Sequence, residues 1–208
     1  MPQQSPRQEK GSFCNRPPSP RRNHGRRPIP PPIKRLVDEH LLIKKWLALI
    51  PEVIKNLDVT SREGREVVAA GIDFIRSYAD QFHHAKEEAI LFKYFDEQTA
   101  IIRAMLSDHE TGRRHVRAMR EALDKEDTDA VIKHLQAYRE LLADHIKKED
   151  EILFPWMDGN LSETDKNAIA GEFDKAEREM GAELPVRCAT FIDDLEKIHP
   201  PSEIISRI

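Results

Sequence analysis

Apolar residues recur at intervals of three and four along most of the chain, the spacing that places side chains on one face of an α-helix. Four such stripes follow one another from Ile33, and short polar stretches separate them. The pattern predicts helices over 33–57, 61–94, 98–125 and 128–158. Thr128 is the expected N-cap of the fourth helix, and Pro51 is expected to kink the first or end it one turn early. Four long helices with short loops indicate an all-α, up-down-up-down four-helix bundle.

Two further helices are expected after this bundle. Ser162 followed by Asp165 has the spacing of a capping box, which predicts a fifth helix to about Met180. A short sixth helix is predicted over 186–198. We expect both to pack outside the bundle. The predicted organisation is therefore a bundle over 33–158 and a C-terminal helical extension over 159–208.

The N-terminal segment, 1–32, has a different composition. It holds nine of the 14 prolines and seven Arg or Lys with one Glu, a local charge of +7 − 1 = +6. Since the whole chain carries −4, the remainder carries about −10. A segment this poor in apolar residues is predicted to be a disordered tail. The passive tail is favoured over an arm that binds nucleic acid or anionic lipid, because basic residues without interleaved aromatics are a weak signal.

Composition also bears on the compartment. No apolar run approaches the roughly 18 residues that a membrane span needs, and the basic N-terminus lacks the apolar stretch of a secretory signal. Cys14 and Cys188 are too few for a disulfide framework in a chain of 208 residues. A soluble, cytoplasmic protein that contacts neither membrane nor nucleic acid is the expectation.

Each of the four stripes contains a histidine where leucine would be ordinary: His40, His83, His109 and His145. The second and fourth helices also share a near-repeat, HHAKEEAILF at 83–92 and HIKKEDEILF at 145–154, identical at six of ten positions. In both, His-x-x-x-Glu places an imidazole and a carboxylate about 40° apart around the helix and about 6 Å apart along it. Glu87 and Glu149 can thus reach the same centre as their histidines.

Counting residues from the predicted turns tests whether these histidines share one level. His83, His109 and His145 do so closely, whereas His40 is offset from His83 by about 10 Å. We expect all four in one slab of the core. The fourth stripe places the following residues in that core: Val131, Leu135, Tyr138, Leu142, His145, Glu149, Ile152 and Trp156.

Unpaired histidines and carboxylates in an apolar layer are costly, and a metal removes that cost. Six or more N and O ligands are too many for one tetrahedral zinc ion, and no cysteine lies on the stripes. Histidine mixed with carboxylate in a helical bundle suits a pair of iron ions, with manganese or zinc less favoured.

These motifs together resemble the hemerythrin-like, or HHE cation-binding, family over about residues 33–158. The resemblance implies a non-haem di-iron centre in a four-helix bundle, with the glutamates bridging the irons. The implied ligands are His40, His83, Glu87, His109, His145 and Glu149. His84 matches a position where several members place a ligand, so the resemblance implies that it is the fifth histidine ligand.

Two features depart from the oxygen carriers of this family. The carriers have a second histidine four residues on in the third helix, where this chain has Arg113. Their fourth-helix carboxylate is an Asp five residues after the histidine, a spacing that Asp150 occupies here. Glu149 is preferred over Asp150 as the bridge because it repeats the spacing of Glu87.

Three functions follow as hypotheses. The first, which is favoured, is a protein that binds or senses O2, NO or peroxide at an open iron position; whether the chain is an enzyme stays open, with a non-enzymatic role preferred. The second, implied by the resemblance, is an oxidoreductase that handles iron or peroxide under oxidative or nitrosative stress. The third is an interaction module whose metal is structural.

Overall fold

The computed structural model describes residues 31–200, and within that range the chain is almost entirely helical. Its four long helical segments form the predicted bundle, with α4 packed along α5, α1 against α5, and α2 against α4. The first segment is α1 (Pro32–Lys55). The second comprises α2 (Arg62–Phe74), a π-helical stretch (Ile75–His84), α3 (Ala85–Ala89) and a 3₁₀ turn (Leu91–Tyr94). The third is α4 (Ala100–Asp124), and the fourth comprises α5 (Thr128–Lys148), a π-helical stretch (Glu149–Leu153) and α6 (Phe154–Asn160).

The predicted tail, 1–32, lies outside the described residues except at its end. There α1 begins at Pro32, which is buried, so the helix starts one residue earlier than predicted. Proline suits this position because the first N–H groups of a helix have no acceptor within it.

Pro51 does not end α1, which continues to Lys55. A proline inside a helix leaves the carbonyl four residues before it without its usual N–H donor. That carbonyl belongs to Leu47, and Nε of Arg139 on α5 donates to it at 3.0 Å. A side chain from the neighbouring helix thus replaces the missing backbone donor, and the prediction of an early end was wrong.

The helix ends follow the expected capping chemistry, with two corrections. Ser162 and Asp165 form the predicted capping box of α7 (Glu163–Met180). The N-cap of α5 is Asp127 and not Thr128, because the Asp127 carboxylate accepts from the N–H of Ala130. The Thr128 hydroxyl instead accepts from the N–H of Val59. The sixth predicted helix, α8 (Glu183–Ile198), begins three residues earlier than expected.

Two apolar clusters fill the bundle on either side of the histidine layer. One includes Ile43, Val116 and Leu142, and the other includes Leu36 and Met105. His40 and His109 lie between the two clusters along their helices. The polar layer is therefore enclosed by hydrocarbon above and below.

The end of the fourth segment departs from the predicted stripe. Ile152 and Trp156 are 57% and 41% exposed, whereas Leu153 and Met157 are fully buried. The π-helical stretch Glu149–Leu153 explains the shift, because a π-bulge accommodates one extra residue and turns the following side chains by about 100°. The predicted core positions of Ile152 and Trp156 were therefore wrong.

The extension packs against the outside of the bundle, as predicted. Helix α7 contacts α1, and α8 contacts both α1 and the π-helical stretch of the second segment. Gly181, with a φ of +89°, makes the turn between them, a conformation that favours glycine. Within residues 31–200, none of the helices has the length and apolar character that crossing a bilayer requires.

The shift at the end of the fourth segment predicts unequal effects for two neighbouring residues. Leu153→Ala should lower the free energy of unfolding by about 2–5 kcal/mol, since it empties a buried site. Ile152→Ala should change it by less than about 0.5 kcal/mol. Urea denaturation of both variants measures this. A larger loss for Ile152→Ala would contradict the bulge and restore the uninterrupted helical stripe.

Candidate metal centre

Five histidines and two glutamates meet between the two apolar clusters, and each is buried. Every segment of the bundle contributes to this layer. The residues are His40 from α1, His83, His84 and Glu87 from the second segment, His109 from α4, and His145 and Glu149 from the fourth segment. The structure brings together all seven residues that the sequence predicted.

The second segment contributes two adjacent histidines, which an ordinary α-helix separates by about 100°. His83 and His84 end the π-helical stretch Ile75–His84. A π-turn contains more residues than an α-turn, so the angle between adjacent side chains is smaller. The His84 ring stacks on that of His109 with 4.0 Å between centroids. His83 lies against His40, whose ring centroid is 4.5 Å away. The offset of about 10 Å predicted between His40 and His83 is absent.

The side chains form two groups that share Glu87. In each group, one ligand atom per residue lies within 4.8 Å of those of the others. One group consists of His40, His83, Glu87 and Glu149, and the other of His84, Glu87, His109 and His145. Each group has the donor set of a cation site, imidazole nitrogen with carboxylate oxygen.

The two glutamates connect the groups. Oε1 of Glu87 is 3.4 Å from Nε2 of His83, and its Oε2 is 3.4 Å from Nε2 of His109. Oε2 of Glu149 is 3.3 Å from Nε2 of His40 and 3.2 Å from Nε2 of His145. Each carboxylate therefore faces one histidine from either group, which is the placement that a bridging ligand needs.

Several polar atoms of this layer have no hydrogen-bond partner among the described residues. They are Nε2 of His40 and of His83 and both oxygens of Glu87 and of Glu149. Nε2 of His109 and Nε2 of His145 face each other at 3.1 Å. Buried polar atoms without partners are rare and costly. Bare nitrogens and carboxylate oxygens converging on one small space fit cations, which would accept all of these lone pairs.

A carboxylate faces the outer ring nitrogen, Nδ1, of each histidine. The distances are 2.8 Å from Asp150 to His40, 2.9 Å from Glu39 to His83, 3.9 Å from Asp80 to His84, 2.7 Å from Glu88 to His109 and 3.5 Å from Asp108 to His145. At His40, His83 and His109 the carboxylate is within hydrogen-bond distance of Nδ1, which favours the tautomer with its proton there and leaves Nε2 free as a metal ligand. Asp150 belongs to this outer set, whereas Glu149 faces the centre.

Each of these carboxylates also forms an ion pair with a lysine or arginine side chain. Lys44 pairs with Asp150, Lys86 with Glu39, Lys148 with Asp108, and Arg113 with both Asp80 and Glu88. Arg113 holds Asp80 at 2.7 Å and Glu88 at 2.8 Å, so one guanidinium supports the carboxylates of two histidines. Arg113 is also the residue that stands where the oxygen carriers have the second histidine of their third helix.

Protonation in the metal-free layer is uneven. Burial raises the pKa of Glu87 well above its ordinary value, and the neighbouring Glu149 carboxylate raises it further. Burial also acts to raise the pKa of Glu149, but His145 and His40 hold it well below its ordinary value. Burial acts to lower the pKa of His145, yet Glu149 and Asp108 outweigh it and raise this pKa to about 9. The pKa of His40 is raised in the same way, by carboxylates at both ring nitrogens.

A cavity of about 230 Å³ extends from the surface to one side of the layer. His84 and His109 line its inner end, and Arg113, Val116, Tyr138 and Leu142 line its walls. Neither His40 nor His83 is among the lining residues. Access from solvent is therefore directed to the group that contains His84.

Four of the five outer carboxylates were missed from the sequence and the fifth, Asp150, was considered only as a bridge, although a signal for most of them exists. Glu39 and Asp108 directly precede a stripe histidine, while Glu88 and Asp150 directly follow a stripe glutamate. A carboxylate next to a buried stripe lies where it can reach a neighbouring helix. His115 on α4 lies outside the histidine layer; it is half-buried, with its Nδ1 3.2 Å from Nδ1 of His134.

The raised pKa values predict that metal loading releases protons. Near pH 7 the layer without metal keeps a proton on His145, whose pKa is about 9, and the raised pKa values of Glu87 and His40 also favour their protonated forms, so loading should release protons. Metal affinity should fall as pH falls, since protons then compete for the ligands, and its pH dependence should flatten above about pH 9. Calorimetry in buffers of different ionisation enthalpy measures the release. Loading without proton release would contradict the assignment of these protons.

Comparison with known proteins agrees with this geometry. A family model described as the hemerythrin HHE cation binding domain matches residues 31–157. No curated protein and no solved structure matches the chain. The matched range includes the whole histidine layer and ends before α7. The chain belongs to the hemerythrin HHE cation-binding family.

Proposed function

We propose that this protein holds two iron ions in the histidine layer and binds a small ligand such as O2 or NO at one of them. The observation that carries the proposal is the convergence of unpartnered Nε2 and carboxylate atoms on two adjacent groups that share Glu87. Membership of a cation-binding family supports the metal, and the mixed N and O donors favour iron over manganese or zinc.

In this proposal Glu87 and Glu149 would help to hold both ions. His40 and His83 would hold the first ion, which gives it two nitrogens and two carboxylate oxygens. His84, His109 and His145 would hold the second, which gives it three nitrogens and two oxygens. Octahedral iron takes six ligands, so each position keeps room for a ligand that the protein does not supply.

The cavity favours the second position for an external ligand, because it ends at His84 and His109. Its volume of about 230 Å³ is several times the roughly 30 Å³ that one water takes in the liquid. Val116, Tyr138 and Leu142 make part of its wall apolar, which suits an uncharged diatomic molecule. When bound, reduced iron supplies the electrons and the open coordination that such ligands require.

The chain's own residues would hold and shield the reacting site. The outer carboxylates keep the Nδ1 protons away from the metal and fix the ring planes. Arg113 fixes Asp80 and Glu88, and so the two histidines at the inner end of the cavity. The apolar clusters on both sides exclude bulk water.

Optical spectra before and after O2 or NO is added to the anaerobically reduced protein test this function, together with metal analysis. We expect two irons per chain and a new visible absorption on adding the ligand. Unchanged spectra and an unchanged iron oxidation state with both ligands would refute ligand binding. The enzymatic and interaction-module hypotheses and the cytoplasmic location stay predictions.

Removal of one histidine from each group should lower the iron content. His83→Ala and His145→Ala should each reduce bound iron to well under two per chain and lower the unfolding temperature, since the buried carboxylates lose their counter-charge. His115→Ala is the matched control, because this histidine lies outside both groups on α4. Atomic absorption and thermal unfolding provide the readouts. Full iron content in both variants would mean that the layer is not the metal site.

The cavity predicts a kinetic variant. Val116→Phe places a larger side chain in the cavity wall, two turns along α4 from His109, and should slow ligand association at least tenfold, while bound iron stays near two per chain. Met119→Phe, a substitution one turn further along α4 and outside the lining, serves as the control. Stopped-flow mixing with O2 or NO measures the rate. An unchanged rate in Val116→Phe would show that the ligand enters by another route.

A further inference from the structure

Lys86 lies in the first copy of the near-repeat, two residues after His84, and is only 2% exposed. Its counterpart in the near-repeat, Lys148, has a side chain that is 39% exposed. The Lys86 ammonium lies 4.1 Å from the centre of the Phe82 ring and 5.4 Å from that of Phe173. A buried ammonium needs anions as well as aromatic faces.

Two carboxylates supply these anions, and they come from different parts of the chain. Glu39 on α1 contacts the ammonium of Lys86 directly. Glu177 on α7 contacts the same ammonium at 2.9 Å. The other oxygen of Glu39 faces Nδ1 of His83 at 2.9 Å. A continuous chain of charged contacts thus runs from Glu177 through Lys86 and Glu39 to His83.

Helix α7 is fixed to the bundle at the same point. Arg35 on α1 contacts Glu177 at 2.6 Å and Asp174 at 2.7 Å, and it also donates to the carbonyl of Ala170. Glu177 therefore connects two cations of the bundle, Arg35 and Lys86. Phe173, one turn before Glu177, is fully buried in the cluster next to the histidine layer. These contacts fix the position of the Glu177 carboxylate.

The four outer carboxylates other than Glu39 pair with Lys44, Lys148 or Arg113. All ion pairs of these three cations lie within residues 31–157. Only the contact at His83 extends beyond the matched family range, because Glu177 lies in the C-terminal extension. Loss of Glu177 would leave Lys86 buried with one anion instead of two. Lys86 and Glu39 would then rearrange, and Nδ1 of His83 would lose its fixed acceptor.

We propose that α7 completes the metal centre and that Glu177 is a positioning residue for His83, acting through Lys86 and Glu39. The inference rests on the proposed metal site. It assigns a role in metal retention to the extension, confined to the ion that His40 and His83 would hold. Outer contacts of metal ligands commonly change affinity by about 10–100-fold, and Glu177 acts one step further out.

The test follows removal of the two metals from the loaded full-length protein by a strong chelator. Glu177→Gln keeps the size of the side chain and removes its charge. We expect one of the two metals to leave about three- to tenfold faster, with the other unchanged. Lys86→Met should accelerate the same metal by more. Glu179→Gln is the matched control, because this carboxylate lies on α7 and contacts only Lys175 among the ion pairs of the described residues.

Asp108→Asn identifies the other metal, because Asp108 faces His145 in the second group. Asp108→Asn should accelerate the release of the metal whose release rate is unchanged in Glu177→Gln. A purely structural role of α7 would instead accelerate both releases together and lower the unfolding temperature of the metal-free protein. That result, or equal rates in Glu177→Gln and Glu179→Gln, would overturn the proposal. Failure of the wild-type protein to bind two metals would refute the proposed function instead.

Discussion

The structure depends on the burial of two carboxylates, Glu87 and Glu149, in the middle of an apolar core. Neither has a hydrogen-bond partner at either oxygen among the described residues. Moving such groups out of water costs several kcal/mol each unless opposite charge is close by. In the metal-free protein, raising the pKa of Glu87 and protonating His145 reduce that cost. Two divalent cations would remove it directly, so metal binding and bundle stability are coupled.

The outer carboxylates extend this constraint to all four segments of the bundle. Asp80 faces His84 within its own segment. The other four each face a histidine of a neighbouring segment: Glu39 of α1 faces the second segment, Glu88 of the second faces α4, Asp108 of α4 faces the fourth, and Asp150 of the fourth faces α1. The contacts form a closed ring around the centre. Movement of one helix would therefore misplace both a layer histidine of its own and the carboxylate that orients the histidine of the next segment.

Helical periodicity predicted the bundle and six of the seven residues of the layer, whereas His84, which lies off the stripe, was implied only by the family resemblance. The core positions predicted for Ile152 and Trp156 were wrong because a π-bulge rotates the buried face of the helix, and no pattern in the sequence marks where the bulge occurs. Thr128 was misjudged because its hydroxyl contacts Val59, a residue of another connection. The contact of Lys86 with Glu177 joins residues 91 positions apart, a separation at which no local pattern carries information.

The two π-helical stretches explain how a repeated sequence produces an asymmetric centre. HHAKEEAILF and HIKKEDEILF begin alike, but in the second segment the π-helical stretch ends at His84, and in the fourth it begins at Glu149. In the second segment, the stretch precedes the glutamate of the motif and brings two adjacent histidines to the layer. In the fourth segment, the stretch follows His145, leaves the position of that histidine unaltered and rotates the side chains beyond Glu149. One group therefore has three histidines and the other two. The cavity reaches the group with three, so the same local distortion that adds His84 also makes the two groups differ in their access from solvent.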